Sequence, residues 1–138
     1  HAGYAQAMQA RGLEPQQSWL QPTVEAGRAA TAELLNQHPA DRPDALLASN
    51  GLLLLGAAQA IQSAGLQMPH DIGLAGFDNN DWTTLPALDV TVIEQPTYEI
   101  GRTAAELLLQ RLAEPTRPVR SVVLEGRLLA RGSTRRGG

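Results

Sequence analysis

The chain has 138 residues, a formal net charge of −3 and no cysteine. That length supports one modest domain. The absence of cysteine excludes disulfides, thiolate metal sites and cysteine nucleophiles, and the negative balance argues against a nucleic-acid-binding surface on this chain.

No apolar run approaches the ~18 residues that would mark a membrane span. The longest, Leu52–Ala58, is far too short, and no signal-peptide pattern is visible. The chain opens at His1 directly on helix-like sequence, which points to a piece of a longer protein.

Ala2–Arg11 is rich in Ala and Gln, and Tyr4 and Met8 share one helix face. Gly12 is the expected stop. Leu13–Gln21 contains Pro15, and its best extended candidate is Ser18-Trp19-Leu20. Thr23 is the expected N-cap of a second helix over Val24–Gln37. Gly27, Ala30, Thr31 and Leu34 share a face that is small at one end, as if it packed closely on a sheet. Arg42-Pro43-Asp44 is a turn signal. Ala45–Ala48 reads as a short buried strand that ends in polar Ser49-Asn50-Gly51. A third helix covers Leu52–Ala64 and stops at Gly65.

The chain is organised around Ile72–Trp82. A short apolar run with small residues, preceded by Pro69 and Asp71, reads as a buried parallel strand. It ends abruptly in Asp78-Asn79-Asn80-Asp81-Trp82. After an irregular stretch over Thr83–Asp89, the β-branched run Val90–Ile93 is a further strand, ending in Glu94-Gln95-Pro96-Thr97. Thr97 is the expected cap of a fourth helix reaching Ala113, with Ile100, Ala104, Leu107, Leu108 and Leu112 as its apolar stripe. Ser121–Leu129 has the pattern of one or two strands around Gly126. Arg131–Gly138 is basic and Gly-rich and is expected to fray.

This alternation implies an α/β fold, a Rossmann-like parallel sheet with flanking helices. Parallel strands place their carboxyl ends on one edge, where open sheets bind ligands. Asn50, Asp78 and Gln95 would then meet over one crevice. An ionised Asp78 only accepts hydrogen bonds, and its two oxygens suit neighbouring hydroxyls of a polyol. Trp82 offers a flat apolar face to the C–H side of a sugar ring. The competing reading is a loop of turn formers with Trp82 in the core. Asn50 likewise has a purely structural reading as cap of the third helix, a role compatible with touching a ligand.

Other chemistry finds little support. His1, His38 and His70 sit in no metal-ligand spacing. There is no Gly-x-Ser-x-Gly elbow, phosphate loop or dinucleotide fingerprint, so no cofactor is expected. Asp78 and Asp81, three apart in a loop, fit turn formers better than an acid–base pair.

One series of residues is specific: Asn50, Gly56, Ala60, Gly65, Pro69, Asp71-Ile72, Gly76-Phe77-Asp78, Gln95-Pro96, Gly101 and Arg131-Gly132-Ser133-Thr134. It resembles the carboxyl-terminal part of the effector-binding core of the lactose/galactose repressor (LacI/GalR) family, over nearly the whole chain. Pro69–Asp78 and Leu128–Thr134 carry it most specifically. The resemblance implies a periplasmic-binding-protein type I subdomain, with residues 1–130 forming the carboxyl-terminal part of the sugar-binding domain and 131–138 a flexible tail. It places the amino-terminal helix-turn-helix and most of a first subdomain outside the chain. It assigns Asn50 and Asp78 to sugar hydroxyls and Gln95–Thr97 to the crossover beside the pocket. Gly3-Tyr4 matches a helix start that in the family follows an effector-binding Arg, a position before His1. The family usually has Asn-Asp where this chain has Asn50-Gly51. The stretches around Asp78 and Gln95 are also similar to gluconate and ketogluconate regulators of the family. Function is therefore expected to be effector sensing in a cytoplasmic, homodimeric repressor, non-enzymatic, with operator DNA and a sugar or sugar acid as partners. A transporter's sugar-binding protein of the same fold is the alternative.

Overall fold

The computed structural model describes residues 2–135. Its helices are α1 (Ala2–Gln9), α2 (Val24–Leu35), α3 (Gly51–Ser63) and α4 (Thr97–Ala113). Its strands are β1 (Ala45–Leu47), β2 (Gly73–Phe77), β3 (Thr91–Glu94) and β4 (Arg127–Leu129), in the spatial order β1-β2-β3-β4. β1, β2 and β3 run parallel, and β4 pairs antiparallel to β3. The expected α/β sheet is present, mixed at the β4 edge.

The core lies where α3 meets the sheet. Leu54, Ala57, Ala58 and Ile61 of α3 pack with Ile72, Leu74, Val90 and Val92, all buried. Gly76 admits this contact, since a Cβ there would lie 2.7 Å from Leu54 Cδ1. Burying so many branched side chains is the main favourable contribution to this fold.

The small face of α2 meets α3, not the sheet. A Cβ on Gly27 would stand 2.6 Å from the Leu53 carbonyl oxygen, and one on Gly56 would run into the Val24 carbonyl. Two glycines thus let the helix backbones touch, and Gly27, Thr31 and Leu35 are buried at the contact. α3 covers this part of the sheet, so α2 forms a second layer on it. Thr23 caps α2 as expected, its hydroxyl accepting from the Ala26 N–H at 3.1 Å. Gly12 and Gly65 adopt positive φ at the ends of α1 and α3, the left-handed geometry that favours glycine.

Three expectations need correction. Ser18-Trp19-Leu20 forms no strand, and Trp19 is 83% exposed; an extended segment needs a ladder partner, and β1 has none on its outer side among the described residues. Thr97 does not cap α4: Pro96 holds that position and makes no side-chain cap bond. Within 121–129, where one or two strands were expected, one forms, Arg127–Leu129, directly after Gly126. The tail is not frayed over 131–135. Ser133 is buried, with its hydroxyl accepting from the Thr91 N–H at 2.8 Å and donating to the Leu74 carbonyl. Composition suggested fraying, but two buried hydrogen bonds stitch this segment across β2 and β3. The rest of the expected tail, positions 136–138, lies outside the described residues.

No residue of α1 or α4 is buried. The apolar stripe of α4 exists, but Ile100, Leu108 and Leu112 are exposed. Among the described residues no helix is long and apolar enough to cross a membrane.

Candidate functional site

The three polar strand ends converge. Gln95 Nε2 donates to Asp78 Oδ1 at 2.7 Å, and the Gly51 N–H donates to Asp78 Oδ2 at 3.1 Å. Asp78 therefore ties the ends of β2 and β3 to the first residue of α3. Its backbone sits at φ 75°, a conformation Asp tolerates better than most residues. The Asp78 N–H is fixed to the Ile93 carbonyl at 3.1 Å. Each carboxylate oxygen thus has one N–H donor, both distant in sequence. An ionised carboxylate offers about four acceptor sites, so room for ligand hydroxyls remains.

Asn50 fulfils its capping role. Its Oδ1 accepts from the Leu52 and Leu53 N–H groups, both at 3.0 Å. Its Nδ2 has no hydrogen-bond partner among the described residues. Trp82 is half-buried: it packs against the core and also lines a cleft. Its structural reading and its place beside the crevice are therefore compatible.

Two open clefts meet at Asp78 and Asn80. The first, about 530 Å³, is lined by Asn50, Gly51, Leu55, Asp78, Asn80 and Trp82. The second, about 610 Å³, runs along Glu94, Gln95, Thr97 and Tyr98 on the crossover side. The strand ends thus line two adjoining clefts and not one crevice, with Asn50 on the first, Gln95 on the second and Asp78 on both.

Residues that the sequence did not single out as site residues build the frame. Asn79 Nδ2 donates to Glu94 Oε1 at 2.8 Å, and Asn79 Oδ1 accepts from Arg131 Nη2 at 2.6 Å. Arg131 Nη1 also donates to Thr83 Oγ1 and the Val90 carbonyl, at 2.9 and 3.0 Å. Arg127 completes the chain by pairing with Glu94 at 2.8 Å. The Asn79 amide and then the Arg127 guanidinium hold the Glu94 carboxyl below its ordinary range. The sequence signal for Arg131 was its place in the Arg-Gly-Ser-Thr motif; its side-chain partners lie 41 to 52 positions earlier and were not legible.

Comparison with known proteins places this geometry. Residues 1–134 match the periplasmic binding protein-like domain. The chain belongs to that family. It is similar to the HTH-type transcriptional regulator KdgR of Bacillus subtilis (strain 168), 36% identical over 104 residues, 74% of this chain and 31% of that protein. It is similar to the HTH-type transcriptional repressor CytR of Escherichia coli (strain K12), 35% identical over 136 residues, 96% of this chain and 39% of that protein. A solved structure described as a transcriptional regulator CelR-cellobiose complex superposes with a TM-score of 0.83 at 32% identity, covering 95% of this chain and 40% of that one. The chain thus carries the LacI-type effector-core fold and spans between 31% and 39% of the length of these curated relatives.

Proposed function

We propose that this chain is the effector-sensing part of a LacI-type transcriptional repressor. A sugar or sugar acid would occupy the clefts at the carboxyl edge of the sheet. Asp78 would accept its hydroxyls, with Asn50 donating through Nδ2, Gln95 holding the crossover side and Trp82 stacking on the ring. The observation that carries this is the Asp78 junction, where β2, β3 and α3 meet at one carboxylate. The matching regulators and the cellobiose complex of CelR support the same reading.

No bond is made or broken. Ligand would bias two arrangements of the core and so change how paired DNA-binding heads sit on operator half-sites. Those heads would come from a helix-turn-helix outside these 138 residues, in a cytoplasmic homodimer. The test is calorimetric titration of the full-length protein with a panel of sugars and sugar acids, followed by operator release with the best ligand. Binding without any effect on operator DNA would favour a transporter's binding protein. No binding by any sugar or sugar acid would refute the reading.

A further inference from the structure

We propose that Arg131 is a positioning residue for the effector site, its guanidinium holding the loop after β2 and so setting where Asp78, Asn80 and Trp82 stand. The inference rests on reading the first cleft as the effector site. Those three side chains line that cleft, whereas Arg131 lines neither of the two clefts. What Arg131 does for a ligand it therefore does through other residues.

One guanidinium grips three points far from it in sequence. Its Nη2 donates to Asn79 Oδ1 at 2.6 Å, and its Nη1 donates to Thr83 Oγ1 at 2.9 Å and to the Val90 carbonyl at 3.0 Å. Asn79 directly follows Asp78, and Thr83 directly follows Trp82. The loop residues that line the first cleft are thus fixed next to two residues that Arg131 holds. Thr83 is fully buried, and its hydroxyl passes the grip on by donating to the Asn80 carbonyl at 2.6 Å. Asn79 Nδ2 donates to Glu94 Oε1 at 2.8 Å, so that amide is held at both ends. The loop needs such support: Asp78 stands at φ 75°, a conformation that a residue other than glycine keeps only where its surroundings fix it.

The guanidinium is not what anchors its own segment. The Arg131 N–H donates to Thr91 Oγ1 at 2.9 Å, the Gly132 N–H donates to Asp89 Oδ2 at 2.8 Å, and the buried Ser133 hydroxyl joins β2 to β3. Anchorage of residues 131–133 and the reach of the Arg131 side chain into the loop are therefore separable. A planar guanidinium serves several acceptors at fixed angles, whereas an ammonium is a compact point charge. Arg131 supplies the fork, and its charge alone would not replace it.

The test combines calorimetry with hydrogen exchange read by mass spectrometry, on the full-length protein. The probe is whichever of gluconate, glucose and cellobiose the wild type binds most tightly. Arg131→Lys keeps the charge and loses the fork. It should lower affinity for that probe by ~3- to 30-fold and speed exchange across residues 78–84, with folding confirmed by circular dichroism. Should Arg131→Lys not fold, Arg131→Gln takes its place. Asn79→Ala cuts the same link, so the double variant should lose less affinity than the product of the two single losses. A change that merely loosened the fold would not couple to Asn79 in this way. Wild-type affinity in folded Arg131→Lys, unchanged exchange, or losses that simply multiply would overturn the inference and leave the effector-site reading standing. Absence of binding by the wild type to all three probes would overturn both.

Discussion

At the residue scale, the proposed site would give Asp78 two competing jobs. Its oxygens hold Gly51 and Gln95 in place, and the same oxygens would accept from ligand hydroxyls. Asp78→Asn keeps the shape but replaces an acceptor oxygen with a donor. Each charge-assisted bond contributes ~1.5–3 kcal/mol, so loss of one should lower effector affinity by roughly ten- to a hundred-fold. Titration of the folded variant checks this. Asn50→Ala is a poor companion, because it also removes a cap worth ~1 kcal/mol. Asn50→Asp keeps the capping oxygen while replacing the NH₂ donors with a second charged acceptor, so effector affinity should fall with the helix cap retained. Glu94 is a second reporter. Its carboxyl is held below its ordinary value of 4.5 mainly by Asn79. A depressed carboxyl favours the folded state above the ordinary value, and that contribution is lost as pH falls through the folded value. Asn79→Ala should move the Glu94 carboxyl upward, toward its ordinary range. Carbon NMR of the Glu94 carboxyl during an acid titration would show it.

At the element scale, the α2–α3 contact depends on two absent side chains. Gly56→Ala should gain up to ~1 kcal/mol of helix propensity yet force the backbones apart, and overpacking typically costs ~1–3 kcal/mol. Steric contact with the Val24 carbonyl should win, since backbone cannot rotate away as a side chain can. A lower thermal midpoint in the full-length protein is the expected outcome. Ser133→Ala is the parallel test at the carboxyl-terminal segment. It strands the Leu74 carbonyl and the Thr91 N–H in a buried place. The cost should be ~1–3 kcal/mol, read as a shift in a urea unfolding curve. An unshifted curve would mean that the segment adds nothing to the sheet.

At the scale of the whole molecule, charge and surface point in different directions. The net charge of −3 predicts that residues 1–138 alone bind operator DNA no better than non-specifically. A gel shift at physiological salt checks that. The exposed apolar residues of α3 and α4, such as Leu52, Leu108 and Leu112, predict association or cover by more protein. Sedimentation of the full-length protein should show a dimer at micromolar concentration, as two operator half-sites would require.

The sequence alone determined which segments become helices and strands wherever the signal was local. Apolar periodicity set α3 and the buried strands β2 and β3, Thr23 and Asn50 announced their capping bonds, and Gly12 and Gly65 announced helix ends. It also placed Asn50, Asp78 and Gln95 at strand ends, because a parallel sheet puts its carboxyl ends on one edge. Only the tertiary structure decided what those ends touch. Gln95 reaches Asp78 across 17 positions, and Arg131 reaches Asn79 across 52. Composition misread the Arg131–Arg135 segment for the same reason: its polar, Gly-containing sequence looks unanchored until Ser133 meets β2 and β3. Local physics is written in neighbours along the chain, whereas hydrogen bonds between strand ends depend on register and packing, which no short stretch encodes.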